Sequence, residues 1–293
     1  NLSLLEIQTL TQDVGCVITG ASHELAPADR RLYALRDVTA TVSSIPLITA
    51  SIMSKKLAEN PAALVLDVKF GSGAFMKTRT QAMQLAHSLV RTGQRLGVTT
   101  TALLTDMYQP LGRMCGNAVE IQESIDIMQA GGPAEVRQLT IALAVELLVS
   151  TATEVDRSVA RTKAERLIDN GAVYEKYRQM VRAQGGDPDA QLRISGCSEV
   201  TTGRAGRVSA IDTEQLGAAI IWMGGGRLQK TDRIDHAVGL EILVRVGDEV
   251  AKDQPVAMVY CEEPEAYQRP IQAAFKFSDE ACPLPLIVDR IVE

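Results

Sequence analysis

Apolar residues recur along this chain in two rhythms, and the alternation between them outlines the architecture. LLEIQTLTQ spaces its apolar residues on one helical face, and DVGCVITGA after it is a short β-branched run that predicts a buried strand. Pro27 marks a helix start in HELAPADRRLYALRD, and RDVTATVSSIPLITASIMSKK adds a second helical segment that stops before Pro61. AALVLDVKFGSGAF reads as a strand running into a Gly-Ser-Gly turn at 71–73, and TRTQAMQLAHSLVRTGQRLG as a helix stopped by Gly97. The strand VTTALLTDM and the helix NAVEIQESIDIMQAGG follow. This strand–helix–strand–helix order predicts a parallel α/β sheet. Right-handed crossovers then bring 69–73 and 105–109 to the one sheet edge where ligands collect.

Residues 133–184 read as helices, beginning with the strongly apolar AEVRQLTIALAVELLVS. From Cys197 the pattern changes to β-rich segments with glycine punctuation: GRAGRVSAI, GAAIIWMGGGR and GLEILVRVGDEVAKDQPVAMVY. The expected division is a first helix and strand at 1–27 and a helical portion at 28–58. An α/β domain at 59–196 and a small α+β module at 197–293 complete it.

Composition narrows the function classes. The 293 residues are 46% hydrophobic and 23% charged, with a net charge of −6 and no long run of one sign, which argues against a nucleic-acid-binding face. Five scattered cysteines and three histidines, with no CxxC, argue against a disulfide framework or a zinc site and fit a reducing cytoplasm. No apolar run reaches the ~18 residues that span a bilayer.

Few stretches can carry chemistry. Ser51 and Lys55 stand four apart, so a helix puts them on one face with Ile48 and Ile52, and Arg36 precedes them. A guanidinium fork, a hydroxyl and an ammonium can grip the carbonyl oxygens of a flat ring while the isoleucines pack its edge. The same residues also suit an ordinary helix whose C-terminal lysines complement its own dipole. KFGSGAF at 69–75 offers turn amides able to cradle an anion, and GGGR at 224–227 either meets a phosphate or simply connects strands. GxGxxG, P-loop, GxSxG and HExxH patterns are all missing. VGDEVAKDQPV has the look of a lipoyl- or biotinyl-carrier hairpin but lacks its Met-Lys-Met sequence.

Three longer stretches say more. RDVTATVSSIPLITASIMSKKL, LVLDVKFGSGAFMKT and TTALLTDMYQPLGRMCGNAVEI resemble the thymidine and pyrimidine-nucleoside phosphorylases, and the similarity continues through MGGGR and AVGLEILVRVGDEV. The resemblance implies a homodimer, each subunit having a small all-helical domain and a large mixed or parallel-sheet α/β domain with a cleft between them. It implies phosphorolysis of a pyrimidine nucleoside by inorganic phosphate, with no organic cofactor. Carried over by position, the base-binding residues are Tyr33, Arg36, Ser51 and Lys55, and the apolar base pocket is Val42, Ile48, Ile52 and Phe75. Arg36 and Lys55 take the catalytic role, meeting negative charge as it grows on the departing base. Some family members hold a potassium ion, and the matching ligands are the carbonyls of Leu111 and Met114 and the carboxylate of Glu123.

The family also carries a domain-sized segment before the position matching Asn1, with a Lys-His-Ser phosphate loop that has no counterpart in these residues. The expectation is a chain that supplies the base-binding half and needs a separate N-terminal segment for turnover. Two alternatives stay open: a fragment that only binds a base or a partner chain, and a phosphoribosyltransferase of the same architecture.

Overall fold

The structure is a computed structural model that describes residues 2–20, 26–29, 32, 43–229 and 231–292. Helix α1 (Leu4–Asp13) starts on a capping box in which Ser3 and Glu6 satisfy each other's backbone amides, yet it buries none of its residues. The strand expected after it is absent from residues 14–20. Ile18 is 71% exposed, and its backbone groups bond the Gln184 side-chain amide at 3.1 and 2.7 Å. A β-branched run becomes a strand only where a neighbour can pair with it.

Helix α2 (Ile45–Ala58) begins with Pro46 in its first turn, and strand β1 (Ala63–Phe70) follows. Helix α3 (Arg79–Arg95) opens on a Thr78–Gln81 capping box and buries Leu85, Leu89 and Val90. Strand β2 (Thr99–Asp106) runs parallel to β1, with Lys69 beside Thr105 and Phe70 beside Asp106, and is buried along all but its first residue. The sheet is mixed, because β10 (Ile287–Ile291) returns antiparallel to β2. One core joins α2, β1, α3, β2 and β10 through Met53, Val68, Leu89, Leu104 and Ile291.

The two-residue strand β3 (Met114–Cys115) leads into α4 (Asn117–Met128), α5 (Ala134–Ser150), α6 (Arg157–Asp169) and α7 (Ala172–Ala183), as the helical periodicity predicts. Beyond them, β4 (Cys197–Thr201), β6 (Gly239–Ile242) and β8 (Pro255–Tyr260) form an antiparallel sheet that also takes in β3. Strands β5 (Gly206–Ile211), β7 (Glu249–Val250) and β9 (Phe275–Phe277) form a third sheet. A separate apolar core serves these strands, including Val208, Leu240, Val256 and Ile271.

GAAIIWMGGGR is helical rather than β. Asp212 accepts from the Gln215 amide and caps α8 (Thr213–Ile220), which continues into a π-helical turn, Ile221–Gly225. A good cap and burial of Leu216 and Ala219 outweigh the strand bias of the paired isoleucines. A short helix α9 (Gln268–Ala273) precedes β9. Among the described residues no helix is long and apolar enough to cross a membrane.

Candidate active site

Helix α2 brings Ser51 and Lys55 together as their spacing predicts. Lys55 Nζ donates to Ser51 Oγ at 2.9 Å and to Asp29 Oδ2 at 2.8 Å. Ser51 is buried, and the Lys55 and Asp29 side chains are 30% and 12% exposed. Asp29 had no signal in the sequence, since it sits in a separate helical stretch and nothing in its spacing ties it to Lys55. The dipole-complementing position of the lysines also holds, because Lys55 and Lys56 both occupy the last turn. Tyr33, Arg36 and Val42 lie outside the described residues.

One turn along the same helix, Ile48 and Ile52 line a cleft of about 420 Å³, together with Phe75, Asp67, Lys69 and Lys77. Ser51 and Lys55 are not among the residues that line it. Phe75 is 68% exposed, an unusual position for a phenylalanine unless something apolar is to pack on it. The cleft floor is polar. Lys69 Nζ donates to Asp67 Oδ2 at 2.7 Å and to Thr105 Oγ1 at 3.2 Å, and the Thr105 hydroxyl also bonds Asp67. Asp67 and Lys69 alternate along β1 and so share a face at the edge where ligands collect, a signal that strand periodicity does carry.

The turn after β1 is built to be rigid rather than to receive an anion. Three of its amides are already spoken for: Gly71 bonds the Met76 carbonyl at 3.0 Å, Gly73 that of Met107 at 3.1 Å, and Ala74 that of Gly71 at 3.1 Å. Gly71 has φ +130°, and a Cβ there would stand 2.5 Å from the Tyr108 amide nitrogen, so this position requires glycine. Tyr108 locks the turn further. Its ring meets Phe70 edge-on at 5.9 Å, and its hydroxyl donates to the Lys77 carbonyl at 2.9 Å. Beside it Asp106 is buried, and that burial raises its pKa against the opposing pull of the Tyr108 amide, Arg245 and Lys69.

Two of the potassium ligands implied by the resemblance, Leu111 and Glu123, already have hydrogen-bond partners. The Leu111 carbonyl accepts from Arg245 Nη2 at 2.7 Å, and the Pro110 carbonyl from Nη1 at 2.5 Å. Glu123 Oε1 accepts the amides of Arg113 and Met114 at 2.8 and 3.1 Å. Burial raises the Glu123 pKa, partly offset by those two amides. Among the described residues no group of three His, Cys, Asp or Glu side chains is placed to hold a metal. All five cysteines are free, and burial pushes the Cys115 thiol up to about 12, which makes it inert.

Comparison with known proteins identifies the family. Residues 2–174 match the a/b domain of the glycosyl transferase family, and residues 207–278 match the pyrimidine nucleoside phosphorylase C-terminal domain. The chain belongs to the thymidine and pyrimidine-nucleoside phosphorylase family. Within it, thymidine phosphorylases of Mycobacterium tuberculosis strains CDC 1551 / Oshkosh and ATCC 25618 / H37Rv are each 44% identical over 297 residues. The match covers 100% of this chain and 68% of each relative.

Proposed function

We propose that this protein catalyses the phosphorolysis of thymidine and that α2 with the adjoining cleft forms the pyrimidine side of its site. The observation that carries this is the Ser51–Lys55 pair. It is hydrogen-bonded on the same helix whose Ile48 and Ile52 enter the cleft, in a chain 44% identical along its whole length to thymidine phosphorylases. In the reaction a phosphate oxygen bonds the anomeric carbon as the bond from that carbon to the base nitrogen breaks. The bonding electron pair leaves with the base, which takes up a proton, and 2-deoxyribose 1-phosphate remains.

Negative charge therefore appears on the pyrimidine only as the bond breaks. Lys55 meets a neutral carbonyl before cleavage and an anion afterwards, so its contribution is greatest in the transition state. Ser51 and Asp29 hold the ammonium on its flexible stem, which lowers the cost of ordering it. Ile48, Ile52 and Phe75 supply the apolar walls, and the resemblance adds Tyr33, Arg36 and Val42 to the same pocket. Inorganic phosphate is the co-substrate, and the assembly is a cytoplasmic homodimer.

The test is phosphate-dependent release of thymine from thymidine, measured with the 293-residue chain alone and with a supplied N-terminal segment taken from a relative. Release that requires phosphate in either arm supports the reading. Its absence from both arms overturns it.

A further inference from the structure

The cleft turn is held from a distant part of the chain. Ser72 Oγ and Thr213 Oγ1 are 2.7 Å apart, the Thr213 hydroxyl donates to the Met107 carbonyl at 3.2 Å, and the Thr213 amide donates to Ser72 Oγ at 3.4 Å. With Thr213 donating to Met107, the Ser72 hydroxyl has two acceptors for its proton, Thr213 Oγ1 at 2.7 Å and the Ile211 carbonyl at 3.3 Å. The Met107 carbonyl also accepts the Gly73 amide. One buried threonine thus closes a ring of hydrogen bonds through both loops at the sheet edge.

Little slack is left in this contact. A Cβ on Gly73 would lie 2.5 Å from Thr213 Oγ1, so the turn is pressed directly against the threonine. Thr213 is itself fixed as the first residue of α8. The preceding Asp212 caps that helix and donates its amide to the buried Ala274 carbonyl at 2.8 Å. At the rim, Lys77 Nζ bonds the Ser72 carbonyl at 2.9 Å and pairs with Glu214 at 2.8 Å. That pair is too exposed to fix anything firmly, which leaves the part-buried hydroxyls of Ser72 and Thr213 as the positioning element. Ser72 and Thr213 fall in regions that match two different family domains.

We infer that Thr213 is a positioning residue for the nucleoside site, through which the C-terminal domain fixes the turn that presents Phe75 to the cleft. The inference rests on the function proposed above. It gives the C-terminal domain a part in base binding, although Thr213 itself does not line the cleft. Valine at this position keeps the shape but removes the hydroxyl, so the Met107 carbonyl keeps only the Gly73 amide and Ser72 loses its closest contact, keeping the Thr213 amide and the Ile211 carbonyl.

The experiment is calorimetric titration of the full chain with thymine, a probe that does not depend on phosphate. Thr213→Val is expected to weaken thymine binding roughly five- to tenfold, the scale of one lost buried hydrogen bond. Thr213→Ser should restore it to within about twofold, and Ser72→Ala should act like Thr213→Val. In a Phe75→Ala background Thr213→Val should have almost no further effect, because the two act through the same turn. Equal effects in both backgrounds, or unchanged binding in Thr213→Val and Ser72→Ala, overturn the inference while leaving the function intact. Should Thr213→Val fail to fold, the serine variant and Ser72→Ala still decide it. A wild-type chain that binds no thymine either alone or with the supplied N-terminal segment overturns the function reading, and this inference with it.

Discussion

Glu146 and Asp29 both hold cations, and they do so for different ends. Glu146 on α5 is 2% exposed and bonds two arginines: Arg157 at the start of α6, and Arg290 on β10, whose Nε lies 2.9 Å away. Burial raises the Glu146 pKa, but the hydrogen bonds and charges of Arg157 and Arg290 outweigh it and leave the carboxyl below its ordinary value. Asp29 holds the Lys55 ammonium, a cation on a flexible stem, one helical turn from a cleft. The first cluster ties three elements together and has two planar forks committed to one carboxylate. The second offers a compact charge with rotatable donors, which a ligand can share. Similar charges become a lock or a tool according to burial and the kind of cation held.

The widest separation between the two should appear at Lys55. In an active enzyme Lys55→Ala should lower turnover by ~10²–10³, the usual loss when a donor aimed at developing charge is removed. Substrate binding should weaken far less, and folding stability should change by under ~1 kcal/mol, because the pair is partly exposed. Steady-state kinetics with a denaturation curve measures all three. Unchanged turnover with only a raised Michaelis constant would confine Lys55 to ground-state binding.

At Glu146 the expectation is reversed. Glu146→Ala should cost ~3 kcal/mol of stability in urea denaturation, the low end for breaking a buried pair, since Arg157 and Arg290 retain access to water. Thymine affinity should stay within about twofold of wild type, as no cleft contact is touched. A large loss of affinity in a folded Glu146→Ala protein would erase the distinction between the clusters.

Phe75→Ala tests the cleft side more gently. Removing an aromatic wall should weaken thymine binding about tenfold. At 68% exposure the folding cost should be near ~0.5 kcal/mol, well short of the loss from a core phenylalanine. A cost of several kcal/mol with binding intact would make Phe75 a packing residue.

The smallest effect is on pH dependence. With its folded pKa below the ordinary value of 4.5, Glu146 contributes stability that is fully present above that value and lost as pH falls through the folded one. Glu146→Gln should therefore flatten the acid limb of the stability curve. Asp106 and Glu123, raised by burial, run the other way: their contribution is lost as pH rises through their folded values. An unchanged acid limb in Glu146→Gln would show that the arginines do not hold the carboxylate ionised.

What could be read from the sequence follows from the range of the interactions involved. Helices α2 to α7 and strands β1 and β2 are local patterns of apolar spacing, and they stand where the pattern puts them. The same spacing joins Ser51 to Lys55 and sends Ile48 and Ile52 toward one cleft, while Phe75 needed the family resemblance. The failures are contacts between distant segments. The run at 14–20 had no partner strand to claim it, and the Asp212 cap turned an isoleucine-rich stretch helical. Asp29 beside Lys55, and Thr213 beside Ser72, share no periodic signal that one chain alone displays.

The antiparallel return of β10 has a consequence for how the protein is made. Ala102 on β2 pairs with Ile291, so as the chain leaves the ribosome that edge of β2 has no partner until residues 287–291 have emerged. Through that interval a buried, β-branched strand presents open amides and carbonyls, the condition under which chains pair with one another and aggregate. Rapid synthesis, or a chaperone that shields β2, should therefore raise the yield of folded protein more than any change confined to the cleft.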